Sequence, residues 1–190
     1  LESLLIGAVI SSTDAASVFS VLRSKKLNLR YGTASILELE SGSNDPWAYM
    51  LTVIILSVMK GGATAGGFVV SLLAQVFFGV GFGALISLGA VYLIKRVRFD
   101  AAGFDAIFVT AIAILSYALP SAVGGNGYLS CYIVGIVLGN TKISGKTALV
   151  HFFDGITGFT QILLFFLLGL LAFPSQMPSI ILPAAAIALF

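Results

Sequence analysis

Seven apolar segments, joined by short polar or basic links, leave this chain little choice of solvent. They cover residues 1–22, 33–58, 66–94, 105–121, 127–141, 153–173 and 179–190. A hydrocarbon core of about 30 Å takes about 20 helical residues to cross. Inside it, a segment must satisfy its own backbone hydrogen bonds, so the segments are expected as helices. Only 9% of the residues are charged, against about 25% in a soluble domain. The expected fold is therefore an all-α polytopic membrane domain covering 1–190. Its partner is the lipid bilayer, and the net charge of +2 is no argument for nucleic acid. The lone Cys131 cannot close an intramolecular disulfide. The chain starts without Met and both ends lie in apolar runs, as expected of an internal piece of a longer protein.

The links set an orientation. Arg23, Lys25, Lys26 and Arg30 follow the first segment, Lys95, Arg96 and Arg98 the third, and Lys142 and Lys146 the fifth. Lys60 alone follows the second. If every segment crosses, nine of the ten basic residues share one side. The positive-inside rule makes the loops 23–30, 95–98 and 142–146 cytoplasmic. The fifth segment is short for a span, but a re-entrant path would spoil this alternation. Gly124, Gly125 and Gly127 before it suggest a flexible outer loop.

Acids enter these segments at two places. In the second, Glu38, Glu40 and Asp45 lie in Glu-Leu-Glu-Ser-Gly-Ser-Asn-Asp-Pro. On a helix Glu38, Ser41 and Asp45 share one face, and Glu40 and Asn44 form a second stripe. Asp45 is roughly 18 Å of helix from Thr33, near the membrane centre. A charge there costs a few kcal/mol or more, which marks Asp45 as a candidate ion ligand. Pro46 removes a backbone donor and frees a carbonyl near Gly42. In the first segment, Ser11-Ser12-Thr13-Asp14 weakens the helix, because Ser and Thr compete for backbone bonds. An interruption near Thr13 and Asp14 would free carbonyls for a cation, as discontinuous transporter helices do. A continuous helix with back-bonded hydroxyls is the structural alternative. A short link makes the two segments antiparallel neighbours, so their polar centres are expected at similar depth.

Residues 7–19 and 38–52 together resemble the NhaP-type cation:proton antiporters, and most of all their bacterial potassium/proton branch. The basic link 23–30, the His-Phe-Phe-Asp-Gly run from His151 and Leu-Leu-Gly-Leu-Leu-Ala-Phe-Pro-Ser at 167–175 look alike too. The resemblance implies part of an inverted-repeat helix bundle, a homodimer, and location in the bacterial inner membrane. It implies a secondary antiporter serving cation and pH homeostasis, with no cofactor beyond the transported K⁺ or Na⁺ and H⁺. It makes Asp45 the shared carrier of cation and proton, with Ser41, the Thr13 backbone and Asp14 at or beside the ion. Asn44 becomes the neutral member of the motif, and Glu40 the acid paired with a buried Arg. No Arg or Lys follows Lys146, so that Arg is expected outside the chain, as is any cytoplasmic regulatory domain.

One titrating carboxylate beside a neutral Asn44 implies electroneutral exchange: a bare buried anion takes up either a proton or a metal ion. Two rivals remain. Asp14 and Asp45 could form an intramembrane aspartyl protease dyad, although their contexts, Thr-Asp and Ser-Asn-Asp, differ from that family's. A cation channel would need a continuous wet path and rings of like residues. Elsewhere bland readings prevail: Asp154 at a helix N-terminus, His151 in a loop, Glu38 near the interface, and Trp47 and Tyr49 in packing.

Overall fold

The computed structural model describes residues 1–14, 18, 22, 29–61, 65–96, 103–143 and 145–189. Arg23, Lys25, Lys26 and Arg98, on which part of the orientation rests, lie outside the described residues. The described elements are helical: α1 (Glu2–Ile10), α2 (Thr33–Met59), α3 (Ala65–Arg96), α4 (Phe104–Ala122), α5 (Gly127–Asn140), α6 (Lys146–Leu171) and α7 (Met177–Leu189), with 3-10 turns at Arg30–Gly32 and Pro174–Gln176. Among the described residues, α4, α6 and α3 from Gly66 onward are long and apolar enough to cross a membrane. The 27-residue α2 has the length, but its polar middle dilutes its hydropathy. At about 1.5 Å per residue the 14-residue α5 is about 21 Å long, shorter than the hydrocarbon core.

The expected interruption is present. Regular helix stops at Ile10, Ser11 to Asp14 lie outside it, and the Val18 amide then bonds the Asp14 carbonyl at 3.0 Å, a helical i to i−4 spacing. The Ser11 hydroxyl turns back onto the Ala8 carbonyl at 2.7 Å. This is the local competition for backbone groups that ends helices.

The chain divides into two compact units, Leu1–Lys146 and Thr147–Phe190. In the first, α3 and α5 form the most extensive helix pair, with α4 against both. Ala90, Ile112, Val134 and Leu138 make its buried apolar cluster. The contacts also fix directions. Along α3, Gly79 and Gly83 face Leu129 and Ile133 in turn, so α3 and α5 run parallel. Along α2, Pro46 meets Asn126 while Leu39 meets Tyr132, so α2 opposes α5. On α4, Tyr117 meets Gly127 and Ala113 meets Cys131, so α4 also opposes α5. The start of α2 and the ends of α3 and α5 therefore share one end of this unit. The second unit holds the rest of α6, the Pro174–Gln176 turn and α7.

Three local expectations change. Helix α6 starts at Lys146, so Asp154 lies well inside it and not at its N-terminus. His151 is helical for the same reason. The link from α4 to α5 is packed from Gly125 to Gly127, while Val123 and Gly124 before it are exposed. A Cβ at Gly125 would come within 2.6 Å of Phe78 Cβ, and one at Gly127 within 2.6 Å of the Tyr117 carbonyl. Backbone atoms cannot swing away as a side-chain tip can. Gly127→Ala in the natural full-length protein is expected to cost about 1–3 kcal/mol, the usual penalty of overpacking. It should lower the thermal unfolding midpoint in detergent, whereas Gly135→Ala, whose Cβ meets nothing within 4 Å, should not.

Candidate functional site

Helix α2 carries its polar residues in the middle, and the interruption after α1 lies against them. Asp45 is about a dozen residues from the α2 start and slightly more from its end, so it sits at mid-helix. Its side chain is half-buried. Oδ1 accepts a hydrogen bond from the Ser12 hydroxyl. One turn earlier, Ser41 is fully buried, and its Oγ pairs with the Thr13 hydroxyl at 3.0 Å. The Asn44 amide donates to Thr13 Oγ1 at 2.8 Å and to Glu40 Oε1 at 3.1 Å. A carboxylate that only accepts fixes which way this amide points. Asn44 Oδ1 is consequently turned away; it is buried, with no hydrogen-bond donor among the described residues.

Three hydroxyls, one amide and two carboxylates thus converge from two chain segments. Each α2 residue projects to its place because 41, 44 and 45 lie within one turn and a little more. The interrupted segment reaches them because its backbone has left the helix there and its side chains are no longer bound to the 3.6-residue repeat. The Asp14 side chain is exposed, and its backbone oxygen accepts from the Val18 amide. Glu40 is exposed and meets Asn44 as the four-residue spacing predicts. Glu38 is half-buried one turn before Ser41. Pro46 is fully buried inside a helix that continues through it.

A cavity of about 400 Å³ adjoins Asp45, lined by Val9, Ser12, Ala48, Tyr49, Thr52 and Tyr128. The rings of Tyr49 and Tyr128 meet edge-on at 4.6 Å, and Tyr117 and Tyr128 at 5.2 Å. Sequence reasoning missed Ser12 as a partner of Asp45, although it stands in the tetrad that breaks the helix. It also assigned Tyr49 to packing, whereas Tyr49 packs and lines the cavity as well. The Asp45, Tyr49 and Thr52 spacing of four and seven residues was a legible signal for one helix face. Nothing local to Tyr128 marked it, because only the tertiary fold brings α5 to α2.

A family model described as sodium/hydrogen exchanger, transmembrane, matches residues 1–190. A K⁺/H⁺ antiporter NhaP2 of Shewanella oneidensis is 40% identical over 193 residues, covering 99% of this chain and 33% of that protein. A K⁺/H⁺ antiporter NhaP of Alkalimonas amylolytica is 38% identical over 191 residues, again covering 99% and 33%. A Na⁺/H⁺ antiporter NhaS2 of Synechocystis is 28% identical over 194 residues, covering 97% and 34%. The chain thus spans about a third of the length of these curated relatives. No solved structure matches it.

The Thr13 and Ser41 pair generates a measurable coupling. Thr13→Val and Ser41→Ala are each expected to destabilise, and the double variant less than their sum. A double-mutant cycle on thermal unfolding should return a coupling of about 0.5–1.5 kcal/mol, the range of one intramolecular hydrogen bond.

Proposed function

Because the chain belongs to the transmembrane sodium/hydrogen exchanger family, we propose that it forms part of a secondary antiporter exchanging K⁺ or Na⁺ for protons through Asp45. The observation that carries this is the Asp45 carboxylate at the centre of α2, facing the hydroxyls of an interrupted helix. The protein is a multi-pass membrane protein, and its family is one of transporters and not of enzymes. The names of the relatives, K⁺/H⁺ and Na⁺/H⁺ antiporters, support the exchange and favour K⁺.

The chemistry follows from the donor set. Na⁺ and K⁺ take carboxylate, hydroxyl and carbonyl oxygens. Asp45, Ser41 and Asn44 of α2, with Thr13 of the interrupted segment, supply carboxylate, hydroxyl and amide carbonyl oxygens. Asp14 adds acidity at the end of the interruption. A carboxylate at this depth is costly as a bare anion, so it holds either a proton or a cation. Both loaded forms cross, and the empty anion is held back. Competition for one carboxylate then yields obligatory exchange without a separate coupling device. Asn44 is an amide and cannot titrate, so one cation exchanges for one proton and no net charge moves. Glu40 holds the Asn44 amide and, in this proposal, pairs with an Arg beyond the chain.

The orientation also belongs to this proposal. Arg30 before α2, Lys95 and Arg96 ending α3, and Lys142 after α5 lie at one end of the first unit. This common end supports a cytoplasmic side there, with seven crossings in a bacterial inner membrane and a homodimeric assembly.

The test uses the natural full-length protein in everted vesicles with an acid interior and a pH dye. Added K⁺ or Na⁺ should dissipate the gradient in wild type, and the responding ion names the substrate. Asp45→Asn should lose the response at least about a hundredfold, as loss of the only titrating carrier requires. On planar membranes, voltage alone should drive no current. Exchange that survived Asp45→Asn would overturn the carrier assignment, and a voltage-driven current would overturn electroneutrality.

A further inference from the structure

Asn126 carries no weight in the sequence reading, yet it is fully buried and all four of its nitrogen and oxygen atoms are used. Its backbone amide donates to the Gln75 carbonyl of α3 at 3.1 Å, and its own carbonyl accepts from Ser130 at 3.2 Å. Its Oδ1 caps α5 by accepting from the Leu129 amide at 3.0 Å. Its Nδ2 donates to the carbonyl of Pro46 at 2.9 Å, across eighty positions of sequence. One residue therefore ties together α2 and the start of α5 through its side chain and α3 through its backbone amide.

The place of that last bond matters. Pro46 follows Asp45 directly and has no amide hydrogen to donate to the preceding turn. The helix is therefore held by one bond fewer where it carries the carboxylate, and such sites are where helices bend. Asn126 grips this stretch from the side. The same residue sets α5 against α2, and two positions on, Tyr128 lines the cavity beside Asp45 and meets the Tyr49 ring at 4.6 Å. The approach is close on the other flank too: a Cβ at Gly79 would stand 2.9 Å from the Asn126 carbonyl.

We propose that Asn126 is a positioning residue of the exchange site. Its bond to the Pro46 carbonyl fixes the Asp45 carboxylate against the Tyr128 wall, and so sets cation affinity and the pH at which exchange runs. This rests on the assignment of Asp45 as carrier. The rival is a purely structural role, in which Asn126 only caps α5.

Two variants separate these roles. Asn126→Ser and Asn126→Thr keep an oxygen that can cap the Leu129 amide, but neither reaches Pro46 with a donor. They are assayed in the full-length protein in everted vesicles, normalised to folded protein, beside Asp45→Asn. Positioning predicts that half-saturation by K⁺ or Na⁺ rises about three- to tenfold, the worth of one hydrogen bond, and that the pH profile shifts. An unchanged half-saturation and pH profile in either recovered variant, with Asp45→Asn inactive, overturns the positioning role. Failure of both variants to accumulate as folded protein overturns it as well, in favour of a structural one. Should Asp45→Asn still exchange, the carrier assignment fails instead, whatever Asn126 does.

Discussion

The cost of a carboxylate in the middle of a long, largely apolar helix governs this structure. At mid-α2, Asp45 stands about a dozen residues from either end of the helix. Charged residues at such depth cost a few kcal/mol by the mildest scales. Among the described residues, the groups that meet this stretch are hydroxyls and an amide. Ser12 reaches Asp45 itself, while Thr13, Ser41 and Asn44 form a connected chain one turn away. Neutral dipoles of this kind lower the penalty without cancelling the charge.

The two segments at the site contribute in opposite ways. Helix α2 is continuous through Pro46, so its side chains keep the helical repeat and Ser41, Asn44 and Asp45 form one surface. The other segment leaves the helix from Ser11 to Asp14. Its hydroxyls can then approach that surface from successive residues, which no regular helix allows. Irregular backbone at membrane depth is tolerated where protein or a water-lined cavity surrounds it, and the cavity beside Asp45 is lined by Ser12 of this segment. Continuity in one partner and interruption in the other together make the convergence.

What could be read in the sequence divides along the same line. The all-helical class, the interruption and the stripes of α2 were legible because they depend on composition and local spacing. Ser11 to Asp14 weaken a helix wherever they stand, and residues four apart share a face in any helix. The start of α6 was misjudged because Lys146 to Phe152 are only moderately apolar, so hydropathy placed His151 in a loop and Asp154 at the N-terminus of a helix that begins earlier. Asn126 was invisible for a different reason. Asn before a helix signals only a cap, and its second bond goes to a carbonyl eighty positions away. The glycines around it suggested slack, whereas Gly125 and Gly127 are there because Phe78 and Tyr117 leave no room for a Cβ.

This packing bears on how a site built from neutral groups keeps its shape. Hydroxyls and amides bond weakly and can exchange partners, so their geometry depends on the backbones that carry them. Along α3, Gly79 and Gly83 let α5 approach closely enough for Asn126 to reach both Gln75 and Pro46. Small residues at helix contacts are the usual means of close approach in membranes, where lipid gives no hydrophobic drive to pack. Here the approach has a second consequence. It brings a buried side-chain donor to the carbonyl of Pro46, the residue after Asp45, so the contact between α3 and α5 and the middle of α2 are joined through one residue.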